Sequence, residues 1–295
     1  MRNIVVSKVE ENDDILKSIL SFLDIITLLQ KKTVCTRWKQ ICTMVIENKG
    51  LLSKKRRCFQ SNHELVDAVT KYIDAKKIKS SSNSRSNMHA AEEIATQYGW
   101  PIGKWNVSQI EDFSSIFFAQ EEFNEDIISW DLSNARDMTC MFSHASSFNQ
   151  DISSWNTANV TSMVTVFNAA CDFNQDISTW NTANVTTMEG MFSGAIDFNR
   201  DISSWDTRSV QCMSGMFCAA SSFNQDISCW NTTNVDDMSF MFFNASSFNQ
   251  DISSWDTTNV HTMEGMFHEA YSFDKTIISS WKKLPDVFFV DMFPL

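Results

Sequence analysis

The chain has 295 residues and a formal net charge of −12 at pH 7, unevenly spread: residues 1–100 hold 17 Lys and Arg against 11 Asp and Glu, residues 101–295 only 7 against 25. The length allows one elongated domain or two compact ones, and the change in charge argues for two regions with different surfaces. An acidic second region repels phosphates, so nucleic acid is not an expected partner. No stretch approaches the roughly 18–20 apolar residues of a membrane span, and the opening MRNIVVSKVEENDD lacks the apolar core and cleavage site of a signal peptide. A soluble cytoplasmic protein without a membrane partner is the expectation.

The first candidate element is NDDILKSILSFLDIITLLQKKTVCTRWKQICTM, residues 12–44. Ile15, Leu16, Ile19, Leu20 and Leu23 have helical spacing, and Asp13 or Asp14 supplies acid where a helix dipole favours it. Asp24 can begin a second helix, and Thr33 to Met44 suits a third. Three short helices in so few residues make a very small core, and such a module usually needs a partner.

This stretch resembles the F-box: DDILKSILSFLD, then LL, then VCTRWKQI follow that motif in order and spacing. The resemblance implies docking on the Skp-family adaptor of a cullin–RING ubiquitin ligase. By position, it assigns adaptor-binding and core roles to Ile15, Leu16, Leu20, Leu23, Leu28, Leu29, Val34, Cys35 and Trp38. Glu11 and Asn12 stand where the motif usually opens with Leu-Pro, which weakens the expected first contact. The competing reading is a small helical cap on the rest of the chain, with no adaptor.

Between residues 51 and 100 the run SKKRR (53–57) reads as a solvated linker or as a nuclear localisation signal. KIKSSSNSRSN (77–87) reads as an exposed loop.

From residue 101 the sequence is periodic. Trp recurs at 105, 130, 155, 180, 205, 230 and 255, every 25 residues without slip, and then one residue late at 281. Phe keeps the same clock at 117, 142, 167, 192, 217, 242 and 267, and again from 123 to 273; Ile runs from 127 to 277 and Ala from 145 to 270. One such unit cannot close a core, but stacked units bury each column as a continuous ladder, so a solenoid is expected. Within a unit, Val160, Met163, Phe167 and Ala170 are spaced like one face of a short helix, with Thr157 or Asn159 as its cap. Phe148, Ile152 and Trp155 bracket a short stretch that reads as strand, although its spacing also fits a helical turn. One strand, one turn and one helix per unit is the resulting expectation.

The phrase SSFNQDISSWDTTNVHTMEGMF (246–267) closely resembles the BspA-type leucine-rich repeat, with its W-D-x-S/T-x-V-x-x-M-x-x-M-F pattern. The resemblance covers roughly 101–293 and implies a right-handed stack of strands and helices. HELVDAVTKYIDAKK and AEEIATQYGWPIGKWNV upstream look like the helical lead-in of such arrays. The expected fold class is therefore α/β: a small all-α F-box module (1–50), a linker and helical cap (51–100), and a short-strand/short-helix solenoid of about 7–8 leucine-rich-like repeats (101–295).

Asp at 126, 151, 176, 201, 226 and 251 forms a polar column. A calcium β-roll uses such a ladder, but its glycine-rich signature is missing from a chain with seven glycines. Each Asp, and neighbouring Asn149, Asn174 and Asn224, is instead expected to accept backbone N–H groups in a turn. None of the eight cysteines forms a CxxC pair, and those within the repeats fall at different positions of the period, so free thiols are expected. His63, His89, His144, His261 and His268 have no metal spacing, although His261 and His268 are placed to share a helix face. No catalytic residue, cofactor or metal is assigned. Residues that vary between copies, such as Arg208, Asp236, Asp237 and His261, are free to meet a target protein. The expected function is a substrate-recruiting subunit of a cullin–RING ligase, the rival being a plain protein-binding or surface-adhesion repeat scaffold.

Overall fold

The structure is a computed structural model and describes residues 57–76, 93–95, 97–99, 101–281 and 292–293. It divides into two compact units, Met1–Val107 and Ser108–Leu295. The F-box stretch and the Ser-rich loop lie outside the described residues.

In the first unit, helix α1 spans Asn62–Lys76. Ser61 starts it: the Ser61 hydroxyl accepts the Glu64 N–H at 3.2 Å, and the Glu64 carboxylate reaches back to accept the Gln60 N–H at 2.8 Å. This is close to a capping box, with two otherwise orphaned donors satisfied. Leu65, Ala68, Val69, Tyr72 and Ile73 form the buried stripe. They face an aromatic cluster in which Phe59 stacks on Tyr98 at 4.0 Å and Tyr72 meets Trp105 edge-on at 5.6 Å. The Trp105 indole N–H donates to the Gly99 carbonyl at 3.0 Å. Trp105 is the first member of the Trp column in sequence, yet it belongs to this unit.

The second unit overturns the α/β expectation. Among its described residues there is no named strand, and the only helical element is a 3-10 turn at Ile277–Ser280. The segment expected to be a helix, 160–170, is a bridge followed by successive turns, and the segment expected to be a strand, 148–155, pairs with nothing as a strand. Parallel pairing occurs instead as isolated bridges at 25-residue intervals: Asp112 to Asp137, Ser162, Thr187, Cys212, Asp237 and Thr262 in turn.

The backbone explains why helix fails. Met138, Cys140, Phe142 and His144 donate their N–H groups forward to the carbonyls of Ser162, Val164, Val166 and Asn168 in the next coil, at 2.7–3.1 Å. The intervening Met141, Ser143 and Ala145 donate back three residues, closing overlapping turns. Cys140 and His144, at the third position of two of these turns, have φ of 57° and 60°. Type II turns require this left-handed conformation, and a right-handed helix cannot contain it. The 3-4-3 apolar spacing thus arises from a ribbon of turns whose inward residues happen to match a helix face. Thr157 and Asn159 cap no helix: the Thr157 hydroxyl donates to Asn181 O at 3.0 Å and the Asn159 amide to Ser133 O at 2.7 Å, in the coils on either side.

The apolar columns are the core. Phe142, Phe167, Phe192, Phe217 and Phe242 are essentially inaccessible and stack at 5.6–5.7 Å, each ring nearly parallel to the next. Offset stacking of this kind adds to what burial alone contributes. The Trp column also satisfies the backbone: Trp155, Trp180, Trp205, Trp230 and Trp255 donate to the carbonyls of Ile127, Ile152, Ile177, Ile202 and Ile227 at 3.1–3.3 Å. At the C-terminal end, Phe267 donates its N–H to Met292 O at 3.0 Å and stacks on Phe293 at 5.5 Å, so the ladder continues one step beyond the last full repeat.

Candidate interaction surfaces

Three sets of outward residues differ in what they leave available. The first is the Asp column. Asp151 Oδ1 accepts the Ser153 N–H at 2.9 Å and its hydroxyl at 2.7 Å, and Asp126, Asp176, Asp201, Asp226 and Asp251 accept the N–H two residues on. The Ser153 N–H, then its hydroxyl, hold the Asp151 carboxyl below the usual range, against repulsion from Asp176 one coil away. The hydroxyl and N–H of Ser178 do the same for Asp176. These carboxylates are turn formers, identical from coil to coil. Among the described residues no group of three or more His, Cys, Asp or Glu is placed to hold a metal ion.

The second set is an asparagine ladder, which corrects the expectation of acceptors within one turn. Asn124, Asn149, Asn174, Asn199 and Asn224 each accept, through Oδ1, the backbone N–H of the residue 25 positions on, at 2.9–3.2 Å. Gln150, Gln175, Gln225 and Gln250 add side-chain bonds to the same oxygens at 2.8–2.9 Å. This column locks coil to coil.

The third set, on the ribbon of turns, varies. The position held by Gly190, Gly215 and Gly265 is Phe240 in one coil, and the position held by Ser143 and Ser193 is Phe243 in the same coil. Phe240 is 39% exposed and meets Phe243 edge-on at 6.1 Å; Phe243 stacks on His268 at 5.3 Å. Gly265 leaves room for the Phe240 ring, since a Cβ there would lie 2.6 Å from it. His268 Nδ1 is shielded and without a hydrogen-bond partner. His261 and His268 share no helix; His261 is exposed, its N–H on Asp236 O at 2.8 Å. Asp236 is exposed, whereas Asp237 accepts the Ser239 N–H at 2.8 Å and hydroxyl at 2.6 Å. Arg208 is exposed but ion-paired with Asp206 at 2.6 Å. Of the four residues singled out by variation, Asp237 and Asp236 lie three and four residues before Phe240. The group itself is legible only as the departure of Phe240 from its own column, since the column of Phe243 also holds Phe118.

The nine adaptor-binding candidates, Ile15, Leu16, Leu20, Leu23, Leu28, Leu29, Val34, Cys35 and Trp38, lie outside the described residues. The described cysteines are free thiols, and burial pushes Cys212 and Cys218 up. No described helix is long and apolar enough to cross a membrane.

The family described as "Mycoplasma protein of unknown function, DUF285" matches residues 83–205 and 194–293, more than half the chain. The chain belongs to this family. An F-box domain matches residues 12–49, so this member is an F-box protein carrying BspA-type repeats. Both parts are interaction modules of a kind that is typically non-catalytic. No curated protein and no solved structure matches it.

Proposed function

We propose that the chain is a substrate-recruiting subunit of a cullin–RING ubiquitin ligase. Its F-box docks the Skp-family adaptor through Ile15, Leu16, Leu20, Leu23, Leu28, Leu29, Val34, Cys35 and Trp38, and its coil array holds a target protein. The observation that carries this reading is the joining of an F-box match at 12–49 to a repeat array at 83–293 in one chain. A stacked array offers an extended surface whose outward residues can change without disturbing the core. Other subunits supply the chemistry; this chain acts by proximity, raising the target's effective concentration near the ubiquitin donor. Co-purification of the full chain with a Skp-family adaptor tests the reading, beside a Leu20→Asp/Trp38→Ala variant. Binding by wild type and its loss in the variant are expected. Absence of binding by wild type reduces the chain to a protein-binding scaffold.

A further inference from the structure

Among the described residues of the array the exposed large apolar side chains are Phe118, Ile196, Phe240 and Tyr271, and Phe240 is the one farthest in sequence from any Lys or Arg. Residues 209–274 contain eight Asp and Glu and no Lys or Arg. Within that span, Phe240 presents its ring to solvent, leaning on Phe243, which lies on His268. Glu264 is exposed, its backbone carbonyl accepts the Phe240 N–H at 2.7 Å, and the next residue, Gly265, lies against the Phe240 ring. Asp236 is also exposed, four residues before Phe240.

Phe240 has φ of 56°, a conformation that is a genuine outlier for a bulky residue. Of its counterparts, Gly190, Gly215 and Gly265 adopt the same conformation without strain, and Ser115, Cys140 and Thr165 hold it too, with smaller side chains. A bulky ring held at that position, and half in water, adds nothing to the buried ladder. The Asp column, by contrast, is explained by its turns and recurs in six successive coils, so it cannot mark one place along the array.

We infer that Phe240 and Phe243, with Asp236 and Glu264, form the contact point for a basic segment of the target protein, one that carries arginine or lysine beside an apolar residue. An exposed aromatic face attracts a guanidinium or ammonium, the acidic neighbours add charge complementarity, and the apolar neighbour of the cation covers the Phe240 ring. The inference rests on the reading that the array binds a target protein, and it specifies where and what kind of segment.

The test is fluorescence anisotropy of the full chain with a labelled short peptide alternating arginine and leucine, beside glutamate–leucine and arginine–glycine peptides. The arginine–leucine peptide binds best, and binding weakens with salt. Phe240→Gly/Phe243→Ser, which restores residues found at these positions in other coils, weakens it about tenfold or more, as a contact anchor should. Asp236→Asn/Glu264→Gln weakens it and flattens the salt dependence; with both side chains exposed, this variant carries the test if the first fails to fold. Asp176→Asn/Asp201→Asn leaves it unchanged. The inference is overturned if wild type does not bind, if the patch variants bind equally well, or if loss follows the Asp176/Asp201 change. Adaptor binding is read separately, so a failed peptide with an intact adaptor complex sinks this inference alone, and the converse sinks only the ligase role.

Discussion

Helix α1 and the coil array satisfy their backbones in opposite ways. In α1 the ladder bonds lie within one segment, and the cap from Ser61 and Glu64 is three to four residues from its acceptors and donors. In the array short turns of two or three residues are interleaved with bonds that join residues 24–28 positions apart: the Trp indoles, the Asn oxygens, the Thr hydroxyls and alternate backbone N–H groups. A helix of 15 residues owes its stability to its own turns plus one packed stripe. A coil of the array closes its own short turns, but alternate N–H groups and the faces of its aromatic rings are satisfied only by its neighbours. Damage in α1 should therefore stay local, whereas damage in a central coil should spread.

The sharpest way to break that contrast is to empty the middle of the ladder. Phe192 is fully buried between Phe167 and Phe217, at 5.6 and 5.7 Å. Phe192→Ala removes the ring, both of these stacks and the closer one on Phe198 at 3.9 Å, and a cost of about 3–5 kcal/mol is expected in urea unfolding of the full chain. Because the flanking coils lose a neighbour, the transition should also broaden or split. A single sharp transition with a loss under about 1 kcal/mol would show that the coils do not depend on one another in this way.

A finer comparison sets one hydrogen bond in each region against the other. Trp180→Phe keeps most of the buried ring but removes one of the two donors to the Ile152 carbonyl, which accepts the Trp180 indole and the Trp155 N–H at 3.2 Å each. Losing one such bond costs about 0.5–1.5 kcal/mol. Ser61→Ala removes the cap of α1 and should cost about 1 kcal/mol. Hydrogen exchange separates them: Ser61→Ala should speed exchange only in the first turns of α1, Trp180→Phe across several coils. Array-wide acceleration from Ser61→Ala would contradict the assignment of local stability to α1.

The core was legible in the sequence because the columns of Phe167, Ile152, Trp180 and Ala170 keep an unbroken 25-residue period, and all four are buried. The Asx turns were legible too, since Asp151 is followed two residues later by a serine that can donate twice. The secondary structure was not. Val160, Met163, Phe167 and Ala170 carry helical spacing, but nothing in that spacing records that Thr165 and Ala169 take positive φ. The only hint was that Gly190, Gly194, Gly215 and Gly265, four of the chain's seven glycines, fall at those same two positions in other coils. The aromatic contact point was missed because ladders draw attention to what repeats, and Phe240 matters by failing to repeat.

Those two positions supply the smallest prediction, and the one most specific to the ribbon of turns. Thr165 has φ of 50°, and its counterpart one coil on is Gly190 with φ of 57°. Holding a residue other than glycine in this region costs roughly 1–2 kcal/mol, while glycine loses roughly 0.5–1 kcal/mol more chain entropy on folding. Thr165→Gly should thus stabilise the array by about 0.5 kcal/mol, less whatever its hydroxyl gains from Cys140 Sγ at 3.1 Å. Gly190→Ala should do the reverse and more, because its new Cβ would lie 2.9 Å from Thr165 Cγ2. In the double variant Thr165→Gly/Gly190→Ala that clash is gone and only the backbone strain of the new methyl group remains, so the two changes should not add. Denaturant midpoints of the three variants decide the matter: a stabilised Gly190→Ala, or strict additivity, would mean that the coils do not meet through these turns.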